Sequence, residues 1–282
     1  MKSSVRVSSG SIRATRALRR MRPALGTFVE IRLAGPYREE ILQREIESAY
    51  RCIARVEALM SFHSESSDLT RLNRAPVGRW IRVHAWTAQV LRRSLALQRD
   101  SEGAFDVAIA DSLVAHGKLP GRPRAARTAQ KSGCASFEVQ GLQVRRTLAR
   151  RIDLGGIAKG FAVDQAVAGL SRKLPGGSGL VNAGGDLRKF GSNSARVHIR
   201  METSDLPLLK SRPILLRSAA LATSYGRSDK VLSSTGKIFQ GTQTVTLLAQ
   251  DCMTADALTK VALMASPAVL RRCLKKYQAS LV

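Results

Sequence analysis

Residues 151–167 read RIDLGGIAKGFAVDQAV, and the reading of this run decides what the rest of the chain is for. Ile152 and Leu154 lead into the adjacent glycines Gly155 and Gly156, after which Phe161, Val163, Ala166, Val167 and Leu170 recur at helical spacing. Glycine permits unusual backbone angles and close approach of elements, so the run predicts a strand-like segment, a tight turn and a helix from about Lys159 to Lys173. Packing accounts for the glycines and the apolar residues. It does not account for Asp153 and Lys159 among them.

Outward from this turn the chain alternates between two periods. In TFVEIRL, Val29, Ile31 and Leu33 alternate with Glu30 and Arg32, the pattern of a half-buried strand. Leu42, Ile46, Ala49, Tyr50, Ile53, Val56 and Met60 then recur every three or four residues, predicting a helix with Glu45, Glu47 and Arg51 outward. A second helix is predicted over 85–98, ended by the glycine of SEGAFD, and a hairpin at FEVQGLQVRR. Residues 117–134 read as an exposed connection, and GLVNAGGD as a strand running into a glycine turn. RVHIR, ILLRS, ALATS and TVTLLA suggest short strands, and helices near 254–265 and 267–277 close the chain. The expected class is α+β, mixed sheets with packed helices, in one domain over 23–282. Residues 1–22 carry Lys2, Arg6, Arg13, Arg16, Arg19, Arg20 and Arg22 without an acid, and predict a flexible basic arm.

Composition limits the function. With 282 residues, 44% of them hydrophobic, the chain can fill a substantial core. Forty-six Lys and Arg against 21 Asp and Glu give a net charge of +25, so partners are expected to be anionic. Aromatic content is only 5%, and no zinc-finger spacing, RNA-recognition aromatic motif or basic heptad converts that charge into base reading; no specific nucleic acid is expected. Scattered Cys52, Cys134, Cys252 and Cys273 lack CxxC spacing and suit reduced thiols. No apolar run has bilayer-spanning length and no secretory signal is evident, so the expected location is the cytoplasm.

Five small polar clusters stand at the ends of apolar runs: GAFD (103–106), DLGGIAK (153–159), NAGGD (182–186), ATS (222–224) and TADALTK (254–260). Each alone reads as a cap or a turn. Together they offer glycine turns with bare N–H groups for phosphate, a lysine as a point charge, and carboxylates and carbonyls suited to Mg2+. That set suits an anionic nucleotide.

The order GT (26–27), MS followed by SxLxRLN (60–73), GAFD, DLGGIAKGFAVD, VNAGGD, ATS and ADALTK resembles the ApbE-like FAD:protein FMN transferases from about Ala24 to about Ala265. The resemblance implies the flavin transferase fold. It implies transfer of FMN from FAD to a threonine or serine of an acceptor flavoprotein, with AMP released and Mg2+ required. It implies FAD contacts at Leu25, His63, Ala104, Phe105, Asp106, Asp153, Lys159, Gly184, Gly185, Asp186, Thr223 and Ser224. Metal ligation is implied at Asp256 and the Gly156 carbonyl, with Thr259, one place before the family's threonine, as a further candidate ligand, and Asp256 and Lys260 are the candidate catalytic residues.

The chain departs from the family pattern in four places. Lys260 stands four residues after the metal aspartate, where the family has a threonine, and an ammonium cannot ligate Mg2+. A histidine-containing segment is replaced by the shortened GKIFQGTQ, which has no histidine and places Lys237 in that region, so a proton transfer assisted by that histidine would need another base. Leu25 replaces a methionine, and His63 a tyrosine. Two rival readings follow: a degenerate relative that only binds FAD or hydrolyses it to FMN and AMP, and a basic nucleic-acid-binding protein on a retained fold.

Overall fold

A computed structural model describes residues 16–122, 135–201, 210–227 and 242–282. The elements in chain order are β1 (Arg16–Ala24), β2 (Thr27–Gly35), α1 (Glu39–Met60), α2 (Asp68–Arg74), β3 (Ile81–Arg82), α3 (Ala85–Asp100) and α4 (Ala110–Ala115). After the hairpin β4 (Phe137–Gln140) and β5 (Gln143–Arg146) come α5 (Ala158–Lys173), β6 (Ser178–Ala183), β7 (Asp186–Phe190), β8 (Ala195–Met201) and β9 (Lys210–Leu216). Then β10 (Ala220–Arg227), β11 (Thr242–Ala249), α6 (Cys252–Met264), α7 (Pro267–Lys276) and β12 (Ser280–Leu281) complete it. The connection at 117–134 falls largely outside the described residues, and so does Lys237.

A seven-stranded sheet ordered β1-β2-β6-β7-β10-β11-β12 is the frame, with β3-β5-β4 as a small second sheet. Its pairs are antiparallel, and Ile31 lies opposite Val181 in the β2–β6 ladder. The alternation in β2 sends Val29, Ile31 and Leu33 into a core shared with Leu42, Ile46, Ile53 and Phe161 of the helices. Each such aliphatic side chain contributes about 1.5–3 kcal/mol through burial. On the opposite face Leu180, Leu187, Leu221 and Leu216 form a separate cluster with Val197 and Ile214 of the β8–β9 hairpin. Helices therefore cover one face of the sheet and a hairpin the other. The fold is α+β as expected.

Local chemistry sets the boundaries. Asp251 and Ser266 cap α6 and α7 by accepting from the Thr254 and Val269 N–H groups, with Pro267 opening α7. Helix α3 stops where Glu102 and Gly103 turn left-handed and Gly103 N–H returns to the Gln98 carbonyl.

Two expectations are corrected. Residues 16–22 belong to β1, paired with β2 from Arg16 opposite Gly35 to Ala24 opposite Thr27, so the basic segment is built into the sheet from Arg16. Its arginines find acids elsewhere in the chain: Arg19 pairs with Glu30, and Arg22 with Glu47 at 2.7 Å. Glu45 points inward, only 5% exposed, because Lys173 meets its carboxylate at 3.0 Å.

Candidate functional site

DLGGIAK, NAGGD and TADALTK converge, beside the LGT turn, because tight turns let backbones meet. Gly184 and Gly185, both at positive φ, form the two-residue turn joining β6 to β7. A Cβ on Gly184 would fall 2.5 Å from Thr27 Oγ1, so NAGGD abuts the LGT turn between β1 and β2. Leu25 and Gly26 make that second turn, and Leu25 is one of few non-glycine residues at positive φ among those described. Gly160, at the start of α5, faces the first turn of α6: a Cβ there would overlap the Cys252 carbonyl and lie 2.8 Å from Met253 Cα. This approach brings Gly160 N–H to Asp256 Oδ2 at 3.2 Å.

Four charged groups meet at that point. Lys159 Nζ pairs with Asp186 and stands 3.6 Å from Asp256 Oδ2. Lys260, one turn beyond Asp256 on α6, bonds Asp256 Oδ1 and donates to the Asp256 carbonyl at 3.0 Å. Asp256 is fully buried, whereas the Lys159 side chain remains 32% exposed and opens to solvent. Burial opposes the charge on Lys159, but the Asp256 and Asp186 carboxylates outweigh it and raise its pKa. The two acids split. Asp186 is raised by burial and by the Asp256 charge, while Asp256 goes down because Lys159, Lys260 and the Gly160 N–H outweigh its own burial.

Lys159 reaches into a cleft of about 550 Å3, a small-molecule size, whose walls include Leu25, Met60, Phe62, His63, Asp153 and Gly155. Asp153 accepts the Gly155 N–H at 3.0 Å, and burial raises its pKa against the opposing effects of that hydrogen bond and of His63. Leu25, His63, Asp153 and Lys159 therefore share one wall system, with Asp186 and Asp256 behind Lys159.

Other expected residues stand outside the lining of this cleft. Ala104, Phe105 and Asp106 do not line this cleft: Ser101 Oγ accepts the Phe105 N–H at 3.0 Å, and the Phe105 ring lies in the core, 3.8 Å from where a Gly156 Cβ would be. Asp106 is 4% exposed; its Oδ1 accepts from Ala108 N–H, and its Oδ2 has no hydrogen-bond partner, with Arg150 Nη1 at 3.9 Å. Thr223 pairs with Thr246 across the β10–β11 ladder at 3.0 Å. His84 caps α3 by accepting from Trp86 N–H, a structural role.

The implied metal set does not fit a divalent ion. Both Asp256 oxygens are engaged, Oδ1 by the Lys260 ammonium and Oδ2 by Gly160 N–H. Thr259, fully buried, donates its hydroxyl to the Asp256 carbonyl at 2.6 Å and meets Ser224 Oγ at 2.6 Å. Lys260 Cε lies 3.5 Å from a Cβ built on Gly156, so its stem fills the space beside that turn. Among the described residues no group of three or more His, Cys, Asp or Glu could hold a metal.

Two residues that position the site end motifs visible in the sequence, but their role is not read from it. Asp164 accepts from Cys252 N–H at 2.9 Å and Met253 N–H at 2.8 Å and pairs with Arg188, tying α6 to α5; in the sequence it shows as the last letter of DLGGIAKGFAVD and as an acid on an otherwise apolar helix face. Asn73, the last letter of RLN, clamps Ile152 with Nδ2 on its carbonyl and Oδ1 on its N–H, both at 2.8 Å. That clamp sets the strand-like segment from which Asp153 projects. Asn73→Ala is expected to destabilise the protein by about 1–3 kcal/mol, because the buried Ile152 N–H loses its acceptor. An unchanged urea midpoint would remove Asn73 from this role.

Comparison with known proteins identifies the family. The ApbE family model matches residues 25–281. A FAD:protein FMN transferase of Haemophilus influenzae is 27% identical over 195 residues, covering 64% of this chain and 54% of that protein, so the match spans about half of its length. One of Vibrio cholerae is 28% identical over 264 residues, covering 84% of this chain and 78% of the relative. The crystal structure of an ApbE protein from Thermotoga maritima superposes with a TM-score of 0.78 at 25% identity, covering 95% of this chain and 94% of that one. The flavin transferase ApbE of Vibrio cholerae gives the same TM-score at 24% identity over 95% and 93% of the two chains, a likeness of fold. With the match running through nearly all of its elements and through the clustered motifs, the chain belongs to the ApbE family.

Proposed function

We propose that this protein transfers the FMN half of FAD to the hydroxyl of a threonine or serine on an acceptor flavoprotein, releasing AMP. The observation that carries the reading is Lys159, a lysine held between two buried carboxylates yet open to a cleft that also contains Leu25, His63 and Asp153. Family membership and the FAD:protein FMN transferase activity of both relatives support the same chemistry.

The residues divide the work by position. Met60, Phe62 and Leu25 offer apolar surface for a flat ring system. Lys159 faces the diphosphate as a point charge, fixed by Asp186 and Asp256 so that little reorganisation is needed as negative charge grows on the leaving group. The acceptor oxygen bonds to the FMN phosphorus while the bond from that phosphorus to the bridging oxygen breaks. AMP carries away the electron pair, and the hydroxyl proton balances the departing phosphate.

A second reading, FAD hydrolysis or FAD binding alone, is favoured by Lys260 at a position where the resemblance implies threonine. Incubation with FAD and an apo-acceptor flavoprotein, followed by intact-mass and nucleotide measurement, separates them. Acceptor gaining one FMN per AMP released is the expected result. Free FMN with AMP would make the protein a hydrolase, and intact FAD throughout would leave it a binder.

A further inference from the structure

The space that a cation would take at Asp256 is already filled by a cation of the chain itself. Lys260 bonds Asp256 Oδ1 and the Asp256 carbonyl, and its stem runs past Gly156, the turn that would supply a carbonyl to an ion. Lys159 stands on the other oxygen of the same carboxylate. The charges close without a metal: two carboxylates, Asp186 and Asp256, face two ammoniums, Lys159 and Lys260. A neutral residue at 260 would leave the cluster one positive charge short. A divalent ion added to the existing cluster would leave it two in excess, against an ammonium that has no lone pair to offer.

We propose that the Lys260 ammonium is the resident cation of this site, standing between Asp256 and the Gly156 turn, so that the chain binds FAD with no divalent ion. The proposal rests on the flavin-transfer reading for its ligand, but the occupancy of the Asp256 position is a property of the protein alone. Lys260 acts here as a positioning and charge-supplying group beside Lys159, and the reaction's P–O exchange is unchanged by it.

Two measurements test this. In the first, the unliganded protein is titrated with Mn2+ and the free ion is followed by electron paramagnetic resonance. Wild type is expected to take up no ion in the micromolar range. Lys260→Thr is expected to gain one site, because it frees the Asp256 carboxylate and restores an oxygen donor, and the further change Asp256→Asn is expected to abolish that site. A stoichiometric wild-type site lost in Asp256→Asn would overturn the proposal. In the second, FAD binding is read by quenching of flavin fluorescence, in chelator and in millimolar Mg2+. Wild-type affinity is expected to change by less than about twofold between the two, while Lys260→Thr weakens about tenfold in chelator and recovers with Mg2+. Wild-type binding that needs Mg2+ would overturn the proposal as well. If FAD binds under neither condition, the flavin reading falls and the Mn2+ titration still decides the role of Lys260. The wild-type titration also stands if a variant fails to fold, which circular dichroism would reveal.

Discussion

Gly160→Ala is expected to lower stability by about 3 kcal/mol, the upper part of the range for overpacking, and to abolish FAD binding. The added methyl meets backbone, the Cys252 carbonyl and Met253 Cα, and backbone at a helix N-terminus cannot swing aside as a side chain would. To make room, α5 and α6 must separate. That movement breaks the hydrogen bond from Gly160 N–H to Asp256 and draws Lys159 away from the same carboxylate. A control lies on the same helix: a Cβ at Gly169 meets nothing within 4 Å, so Gly169→Ala is expected to stabilise by about 0.5–1 kcal/mol through helix propensity. Urea unfolding of both variants checks the contrast. Equal effects at the two positions would show that helix propensity, and not the α5–α6 approach, governs this region.

Asp256→Ala is the second large effect, and it distinguishes a carboxylate that waits for a ligand from one that is already in use. A carboxylate reserved for a metal could be removed from the unliganded protein with little change in stability. Here its removal takes the counter-charge from the Lys260 ammonium, which keeps only the backbone carbonyl of residue 256, leaves the Gly160 N–H without its acceptor and deprives Lys159 of one of two counter-charges. The expected loss is about 3 kcal/mol, at the low end for breaking a buried pair because the two lysine side chains retain 19% and 32% exposure. Inorganic pyrophosphate is expected to recover part of that stability by binding the freed ammoniums, and the transfer reaction is expected to be lost. A melting temperature equal to that of wild type in anion-poor buffer would show that Asp256 carries no such load.

Much of the fold is legible in the sequence because local pattern and global architecture agree. The period-two run in β2 and the three-and-four spacing in α1 and α5 name the residues that fill the core. The paired glycines at 184–185 announce the hairpin turn. The Asp256–Lys260 spacing by itself puts both side chains on one face of a helix. What is not legible depends on partners distant in the chain. β1 reads as a solvated arm because its Arg19 and Arg22 have no nearby acid, and Glu30 and Glu47, which pair with them, lie in β2 and α1. The sequence does not show which way Ser101 turns the backbone, and so does not show that Phe105 and Asp106 stand outside the lining of the Lys159 cleft. Gly160 reads as an ordinary helix residue, since nothing nearby in the chain marks Cys252 as its neighbour.

The outermost position of β1 in the large sheet has a further effect on behaviour in solution. Among the described residues it is the strand with only one neighbour on that side, and it carries Arg16, Arg19, Arg20 and Arg22 along its length, with Pro23 near its end. Two molecules attempting to continue the ladder through this border would bring like charges together, and the ring of Pro23 supplies no N–H for the next rung. The arginine excess that suggests a polyanion partner thus also guards the protein against fibre-like self-association.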